Sequence, residues 1–406
     1  MRSPNDSVSL GAPDQSRAPT HWVTRDVRLI FVAQVVFGFG WSLYLLIPKY
    51  LATELHAGPD VIGRISAMGG FAGLLTVPFA AGGMDRYARS RFFQLGALLI
   101  VGLSIGFSQV HSVGPLVYVL QGCVSAAFVL AFNSTAALLS DYAPPERFGQ
   151  AIGWLGGANV GMNAVATIVA EPLAASHGWR AVFGLGVLAG VAAFGLSFGL
   201  RAAPPKPRAP AATSGGPVHA AGAVPLLISV LLMGATFIAM FGFVQPYAVQ
   251  QGASQVRGFF VGYTAAVVAG RVLLGGLGDR LGRRKVSIWM LVAYGAAAFI
   301  MARLDVELLV AYGIAFGAAH GIVYPTLNAL LFEHLPDTRR GLGMVLYNGA
   351  FNLGSSVGAF GWGILAHHHG YPAIYGAAAA SALCGAALLA VRVSPRSTRL
   401  ARGETN

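Results

Sequence analysis

Charged residues are scarce in this chain. Asp, Glu, Lys and Arg make up 10% of its 406 residues, whereas a soluble domain usually carries about 25%. Hydrophobic residues make up 55%, and the mean hydropathy is +0.63. This balance excludes a soluble protein with one large core and is typical of a polytopic membrane protein, whose helices are apolar on all sides.

Cysteine and catalytic motifs are also lacking. The two cysteines, Cys123 and Cys384, lie inside apolar runs, which argues against a disulfide framework and a cysteine metal site. The sequence has no phosphate loop, no G-x-S-x-G and no H-E-x-x-H. The histidine tract 367–369 has no nearby acids in its short turn. We therefore expect no enzymatic activity, no cofactor and no bound metal.

Long apolar runs are what the sequence does contain. A membrane helix needs about 20 mostly apolar residues, and breaks at charges and turn signals predict twelve spans. Residues 1–28 are polar and carry three aspartates, so they predict a cytoplasmic tail rather than a cleaved signal peptide. The predicted spans are 28–50, 61–83, 92–111, 115–140, 150–173, 181–200, 224–248, 258–278, 286–303, 308–332, 342–366 and 373–392.

The basic residues predict the orientation of these spans. With the N-terminus in the cytoplasm, 21 of the 27 Lys and Arg fall at cytoplasmic segments, five at outer ends, and Arg271 lies within a span. Such an excess on one side is the positive-inside rule. It also accounts for the net charge of +12 without a nucleic-acid partner. Both termini are predicted to be cytoplasmic.

The two halves of the chain resemble each other. "GWRAVF" (178–183) aligns with "GYPAIY" (370–375) at an offset of 192, and Arg147 with Arg339 at the same offset. The stretch 201–223 is rich in Pro, Ala, Gly and Ser, which predicts a linker. We therefore expect a tail (1–27), a six-helix bundle (28–200), the linker (201–223), a second six-helix bundle (224–392) and a tail (393–406), with a cavity between the bundles.

A glycine-rich basic loop carries a family resemblance. "GGLGDRLGRRK" (275–285) resembles the loop signature of the major facilitator superfamily, and "GGMDRYARSR" (82–91) is a weaker copy. With the twelve spans, "DYAPPERFGQAIGW", "HGWRAVF" and "GAAHGIVYPTLNAL", the chain is most similar to bacterial efflux-type members, the drug:proton antiporter and arabinose-efflux-permease-like group. The resemblance implies an all-α fold of two pseudo-symmetric bundles.

The same resemblance implies a conformational latch in these loops. In the family the cluster stabilises the outward-facing state, and Asp279 would accept hydrogen bonds from the start of the neighbouring span near Gly341. The alternative is that the bases only fix the topology and meet anionic headgroups. The N-terminal copy should be the weaker latch. The predicted latch residues are Gly275, Gly278, Asp279, Arg280, Gly282, Arg283, Arg284, Asp85 and Arg86.

Two positions depart from the proton-coupled exporters that the chain resembles. Those exporters usually carry an arginine in span 4 three residues before a Gln-Gly pair, and here that position is Tyr118. Their span 5 signature has a proline where this chain has Met162. Proton antiport therefore does not simply transfer from the resemblance.

Three ionisable residues lie within predicted spans, where charges are costly and usually functional. Glu171 could carry a proton or be an acid at the headgroup boundary. Arg271 could bind a substrate carboxylate or pair with polar groups of spans 10 or 11. His320 could titrate near neutral pH or be a packing histidine. Weaker cavity candidates, which more often form hydrogen bonds between helices, are Trp41, Tyr44, Asn133, Asn163, Gln245, Tyr324, Asn328 and Asn352.

The sequence thus predicts a monomeric secondary transporter in a bacterial inner membrane. The first hypothesis is export of a small organic molecule, with protons as the exchanged ion. The second is an importer or facilitator of small organic anions, with Arg271 as the anion-binding residue. A membrane sensor is a third hypothesis, although the tails and linker are too short to resemble signalling domains. Pro246 and Pro325 should kink spans 7 and 10.

Overall fold

The computed structural model describes residues 22–201, 220–335 and 340–393. Within these ranges the chain forms helices and no strand, as its apolar runs predict. Backbone N–H and C=O groups in a bilayer must be paired inside the protein, and a helix achieves this within one segment. The predicted tails and linker lie largely outside the described ranges.

Twelve helical spans follow one another in the described residues, in agreement with the twelve predicted runs. Most extend a few residues beyond the predicted limits, because polar residues at helix ends continue the hydrogen-bonded turns. Spans 1 to 12 are Arg25–Thr53, Pro59–Arg86, Arg89–Ser108, Pro115–Tyr142, Pro145–His177, Trp179–Ser197, Ala220–Gln250, Arg257–Leu274, Arg283–Met301, Val306–Glu333, Arg340–His369 and Tyr371–Arg392.

Eleven of the described helices are long and apolar enough to cross a membrane. Among the twelve spans of the described residues, span 11 is long enough at 30 residues but is not apolar enough. Its composition is the reason, because it carries Asn348, Asn352, Ser355 and Ser356 among many glycines. Such small and polar residues are typical of helices that pack closely against other helices in membranes.

Spans 1 and 7 are each interrupted beside a proline. In span 1 a 3-10 turn, Leu43–Leu46, precedes Ile47–Thr53, whose second residue is Pro48. In span 7 the helix stops at Gly242 and resumes as Val244–Gln250 around Pro246. Proline removes one backbone donor and clashes with the preceding turn. The interruption at Pro246 was predicted, whereas span 10 continues as one helix through Pro325.

The two bundles repeat the same helix neighbours. Spans 2 and 4, 3 and 6, and 1 and 5 pack together in the first half, and spans 8 and 10, 9 and 12, and 7 and 11 do so in the second. Side chains repeat too: the Tyr50 hydroxyl donates to the Val110 carbonyl at 3.2 Å, and that of Tyr247 to Ala302 at 3.1 Å. This confirms the fold of two pseudo-symmetric six-helix bundles.

The loop between spans 8 and 9 is more structured than predicted. Span 8 ends at Leu274 rather than near 278, and a separate helical turn, Leu277–Leu281, lies in the loop. Gly282 follows at φ 93°, a conformation that side chains rarely adopt. The glycines thus let the chain reverse direction within a few residues before span 9.

The halves touch at one end of the molecule. We call this end, where spans 1 and 5 finish, the Glu171 end. The opposite end of the molecule is the Asp279 end. The contacts join span 2 to span 11, span 5 to span 8, and the tips of spans 1 and 7. Among the described residues, every hydrogen bond and ion pair between the halves lies in the Glu171 half of the spans.

Candidate functional site

Glu171 is the centre of the contact between spans 5 and 8. Its carboxylate pairs with Lys49 of span 1 at 2.5 Å and accepts the Val256 and Arg257 backbone N–H groups of span 8 at 2.9 and 2.7 Å. Val256 is the N-cap of span 8 and has no cap from its own side chain. Glu171 therefore caps a helix of the opposite half, where the helix dipole favours an anion.

Lys49 completes this contact, which we call the clasp. Its ammonium group also donates to the Ser254 carbonyl of the second half at 2.7 Å. Glu171 and Lys49 are 3% and 8% exposed, so both charges are buried and a partner for each is required. Every donor around Glu171 is charged or at a helix N-terminus. The geometry makes Glu171 part of a clasp between the halves, and its role as a proton carrier stays a prediction.

Two further hydrogen bonds join the halves beside the clasp. The Gln245 amide of span 7 donates to the Leu45 carbonyl at 2.8 Å, a carbonyl located in the interruption of span 1. The Thr264 hydroxyl of span 8 donates to the Val160 carbonyl of span 5 at 3.4 Å. Gln245, a predicted cavity residue, is 1% exposed and so closes the Glu171 end in this conformation.

Spans 2 and 11 meet through their backbones. A Cβ on Gly363 would lie 2.8 Å from the Pro59 carbonyl oxygen and 2.9 Å from the Gly63 Cα, so only glycine allows this approach. At the rim of the same contact, His367 Nδ1 lies 3.4 Å from Asp60 Oδ1. The two junctions that close this end thus differ: buried charges join spans 5 and 8, and close packing joins spans 2 and 11.

Arg271 lies further along span 8, toward the Asp279 end. It follows Thr264 by seven residues, or two helical turns, and therefore shares the face that Thr264 turns toward the other half. Arg271 is half-buried and acts electrostatically on Tyr263, His320 and Tyr324. Within the described residues its guanidinium makes no hydrogen bond or ion pair, so the expected pairing with spans 10 or 11 is not observed there.

His320 sits in an aromatic cluster next to Arg271. The imidazole Nδ1 lies 3.1 Å from the Tyr294 hydroxyl, and its ring centre is 5.0 Å from Phe237 and 5.5 Å from Tyr324. It is 5% exposed. This surrounding supports the packing interpretation of His320.

Tyr324 forms hydrogen bonds through both its side chain and its backbone. Its hydroxyl donates to Asn348 Oδ1 at 2.8 Å, and its carbonyl accepts the Tyr347 hydroxyl at 2.7 Å. Its ring lies 5.4 Å from Phe351. Two neighbouring half-buried rings, Phe237 and Phe351, are 5.3 Å apart. These rings and His320 form an aromatic cluster in the second half, and Arg271 is close enough to act electrostatically on Tyr324 and His320.

The predicted residues of span 1 separate in the structure. The Trp41 indole N–H donates to the Val124 carbonyl at 3.2 Å, and the ring lies 4.5 Å from Phe128. Tyr44 instead faces span 3, where its hydroxyl lies 2.6 Å from Ser104 Oγ. Tyr44 is therefore a packing residue of the first bundle.

Polar side chains join span 5 to span 1 on the Asp279 side of the clasp. Asn163 accepts the Ser42 hydroxyl at 3.0 Å, and Asn159 lies 3.5 Å from the Gln34 amide nitrogen. Along span 5, Asn163 follows Asn159 by four residues and Glu171 follows Asn163 by eight. The three side chains therefore share one face of the helix. Asn163 is thus a structural link between two helices.

The remaining asparagines do not converge on Arg271. Asn133 is exposed in span 4, and Asn328 lies 3.5 Å from the Met344 sulfur. The Asn352 carbonyl accepts the Ser356 hydroxyl at 2.8 Å, where span 11 packs against span 2. These three candidates stay predictions without a shared site.

The basic loop at the Asp279 end is organised around Arg283. Its guanidinium binds Asp279 at 2.7 Å and Glu333, at the end of span 10, at 3.0 Å. Arg284 donates to the Leu389 and Ala390 carbonyls at the end of span 12, and Arg280 is exposed. Gly278 packs close to span 10. The expected bond from Asp279 to the start of span 11 stays a prediction, because residues 336–339 lie outside the described ranges.

The first half has an equivalent ion pair that the motif did not reveal. Arg89, at the start of span 3, binds Asp141, at the end of span 4, at 2.5 Å. The side chain of Asp85 lies outside the described part, and Arg86 is exposed. A signal was available in the sequence, because the repeat offset of 192 aligns Asp141 with Glu333. Lys49, the other missed residue, carried no comparable signal.

A cavity of about 320 Å³ opens at the Glu171 end of the first half. Buried rings of Tyr50, Phe107, Trp179 and Phe183 line it, together with exposed polar residues. In the second half the equivalent Tyr247 also packs against two rings, Tyr371 and Tyr375, although these are stacked rather than edge-on. The repeated cluster indicates a packing role for these rings.

The family model of the Major Facilitator Superfamily matches residues 30–269 and 258–406. The chain belongs to this superfamily. Its members are transporters rather than enzymes, and the eleven apolar helices in the described residues agree with a multi-pass membrane protein of this superfamily. Membership of the drug:proton antiporter group, which the sequence suggested, stays a prediction.

Three similar proteins illustrate the range of the superfamily. A gallate transporter of Pseudomonas putida is 31% identical over 157 residues, which cover 37% of this chain and 34% of that protein. A probable chloroplastic anion transporter of Oryza sativa subsp. japonica is 28% identical over 40% of this chain and 31% of its own length. The match thus spans about a third of these relatives. A crystal structure of the peptide transporter POT in complex with sulfate covers 90% of this chain and 94% of its own, with TM-score 0.75 and 14% identity.

Proposed function

We propose that this transporter carries a small organic anion and that Arg271 binds its carboxylate. The observation that carries the proposal is the guanidinium of Arg271, which lies half-buried in the last turn of span 8 without a hydrogen bond or ion pair to the described residues. A half-buried charge in a membrane helix is costly and is usually paired. Within the described residues no side chain supplies the opposite charge, so an anionic substrate is the natural partner.

The rings beside Arg271 favour an aromatic carboxylate. Tyr324, on which Arg271 acts electrostatically, belongs to a cluster with Phe237 and Phe351, and such rings bind a planar ligand by offset or edge-to-face stacking. Gallate is itself an aromatic carboxylate, and the two named relatives transport or are named for anions. These similarities support the second sequence hypothesis, an importer or facilitator of organic anions, over a drug exporter.

The transport cycle follows from the one-sided contact between the halves. We infer that 28–200 and 224–392 move as two bodies, joined by 201–223, and that the predicted orientation places the Glu171 end outside. The conformation described here is then closed outside, with access to Arg271 from the cytoplasm. To open the outer end, the clasp must break between Glu171 and the start of span 8, while Lys49 and Glu171 can stay paired within the first half.

The energy source is part of the same proposal. We infer secondary transport in a bacterial inner membrane by a monomer, coupled to protons as predicted. Glu171 is better suited to the clasp than to proton transfer. Direction of transport and the proton-binding residue therefore stay predictions, and export remains the alternative.

The test is substrate exchange by the purified protein in liposomes. We expect uptake of a labelled benzoate-type carboxylate against an internal pool of the same acid. Arg271→Ala should abolish exchange. Arg271→Lys should raise the half-saturation concentration about 10- to 100-fold, because lysine keeps the charge and loses the two-point contact. Arg303→Ala removes an exposed cation and serves as the control. Equal exchange by the Arg271→Ala and Arg303→Ala variants would refute the proposal.

A further inference from the structure

Tyr263 of span 8 places a second unpaired polar group within electrostatic range of Arg271. The residue is only 4% exposed, and within the described residues its hydroxyl forms no hydrogen bond. Arg271 acts electrostatically on this hydroxyl, and the centre of the Tyr263 ring lies 5.9 Å from that of His320. A buried hydroxyl is normally hydrogen-bonded. Tyr263 therefore lacks a partner that a bound molecule can supply.

His320 offers a hydrogen-bond donor beside Tyr263. Its Nδ1 lies 3.1 Å from the Tyr294 hydroxyl, and Tyr294 is fully buried. Within the described residues that hydroxyl has no other partner, so its hydrogen is satisfied only by donation to Nδ1. In a neutral imidazole the other nitrogen then carries the hydrogen. The packing of His320 thus leaves an Nε2–H donor without a partner in the described part of the chain.

We propose that Tyr263 and His320 bind a hydroxyl group on the ring of the transported acid and make the site selective for hydroxylated aromatic carboxylates. The ring hydroxyl accepts the Nε2–H of His320 and donates to the Tyr263 oxygen. Phe237 packs against both residues, with ring centres 6.5 Å from Tyr263 and 5.0 Å from His320, so the ring and its hydroxyl find contacts in one cluster. The inference rests on the proposed function, because Arg271 holds the carboxylate.

The selectivity follows from the polar groups that an unsubstituted ring leaves unpaired. Benzoate brings no hydrogen-bonding group to Tyr263 and His320, so both stay without a partner in the bound complex. A site that hydrogen-bonds a hydroxyl discriminates against the analogue that lacks it. One neutral hydrogen bond changes an affinity about 2- to 10-fold. With two such bonds, the best hydroxybenzoate should bind about 5- to 100-fold more tightly than benzoate.

The experiment measures equilibrium binding of benzoate and its three monohydroxy isomers to the purified full chain. The ratio of the hydroxybenzoate and benzoate binding constants is taken within each variant, so a loss of folded protein does not alter it. Tyr263→Phe removes the hydroxyl alone. In this variant the ratio should fall about 2- to 10-fold, while the binding of benzoate stays unchanged. His320→Phe should lower the ratio by a similar factor.

Tyr247→Phe is the matched control, because its hydroxyl donates to the Ala302 carbonyl outside this cluster. This variant should keep the wild-type ratio. Equal binding of benzoate and all three isomers by the wild type would overturn the inference and leave the role of Arg271 intact. A wild-type ratio in both Tyr263→Phe and His320→Phe would overturn it as well. If none of the four acids binds, the proposed function fails and this inference fails with it.

Discussion

Gly363→Ala tests how the halves close without changing a charge. The new Cβ would lie 2.8 Å from the Pro59 carbonyl oxygen, 2.9 Å from the Gly63 Cα and 3.2 Å from the Asp60 Cα. All three atoms belong to the backbone of span 2, so span 11 must move as a whole. Overpacking of this kind costs about 1–3 kcal/mol. The ratio of closed to open molecules should therefore fall about 5- to 150-fold.

The assay is pulsed electron resonance on the full chain in lipid nanodiscs, with Cys123 and Cys384 replaced by alanine and spin labels on cysteines at the exposed positions 175 and 307. Gly361→Ala is the matched control. A Cβ on Gly361 meets nothing within 4 Å, so that variant adds the same helix propensity without the clash. We expect longer distances in Gly363→Ala alone. Wild-type distances in Gly363→Ala, or an equal change in both variants, would refute the packing argument.

Three further variants test other parts of the structure. Lys49→Met leaves Glu171 buried without its cation. The free energy needed to open the Glu171 end should therefore fall by about 3 kcal/mol, and the distance between the labels should lengthen. Unchanged distances would contradict the clasp. Ser42→Ala leaves the amide of Asn163 unpaired and should lower the free energy of unfolding by about 1–3 kcal/mol, measured by urea denaturation of the detergent-solubilised protein; equal stability would count against the link. Asp279→Asn should change the labelling of cysteine probes at its own end, and no change would remove the latch hypothesis.

The fold was predictable because each membrane helix is specified by residues that are consecutive in the sequence. Each span is decided by about 20 apolar residues in a row, and the repeat at 192 positions gave the pseudo-symmetry. The positions of prolines predicted the interruptions inside the spans less well. Pro246 interrupts span 7 as predicted, and Pro48 does the same in span 1 without having been singled out. Pro325 lies in a continuous helix, since neighbouring helices can satisfy the freed backbone groups.

The candidate site was only partly predictable, because its contacts join distant parts of the chain. Glu171 and Arg271 stood out as charges within spans. The partner of Glu171 is Lys49, 122 residues earlier, and nothing in the local sequence of either residue indicates the other. The groups that Glu171 caps are backbone N–H groups at the start of span 8, and backbone groups carry no sequence signal.

The latch loop shows the same limit in another form. The motif drew attention to Asp279, whereas the structure centres on Arg283, which also binds Glu333. In the equivalent pair of the first half, Arg89 lies within the weaker motif copy (82–91), whereas its partner Asp141 lies outside the motif at the end of span 4. Comparing the two halves position by position finds these acids, and searching for the motif alone does not.

Equilibrium binding to the purified protein tests whether Arg271 binds an organic carboxylate. A labelled benzoate-type acid should bind the wild type and Arg303→Ala with similar affinity. Binding should weaken about 10- to 100-fold in Arg271→Ala, because charge-assisted hydrogen bonds contribute about 1.5–3 kcal/mol. The uncharged methyl ester of the same acid should not compete. Equal binding by the Arg271→Ala variant, or competition by the ester, would show that Arg271 does not bind the carboxylate.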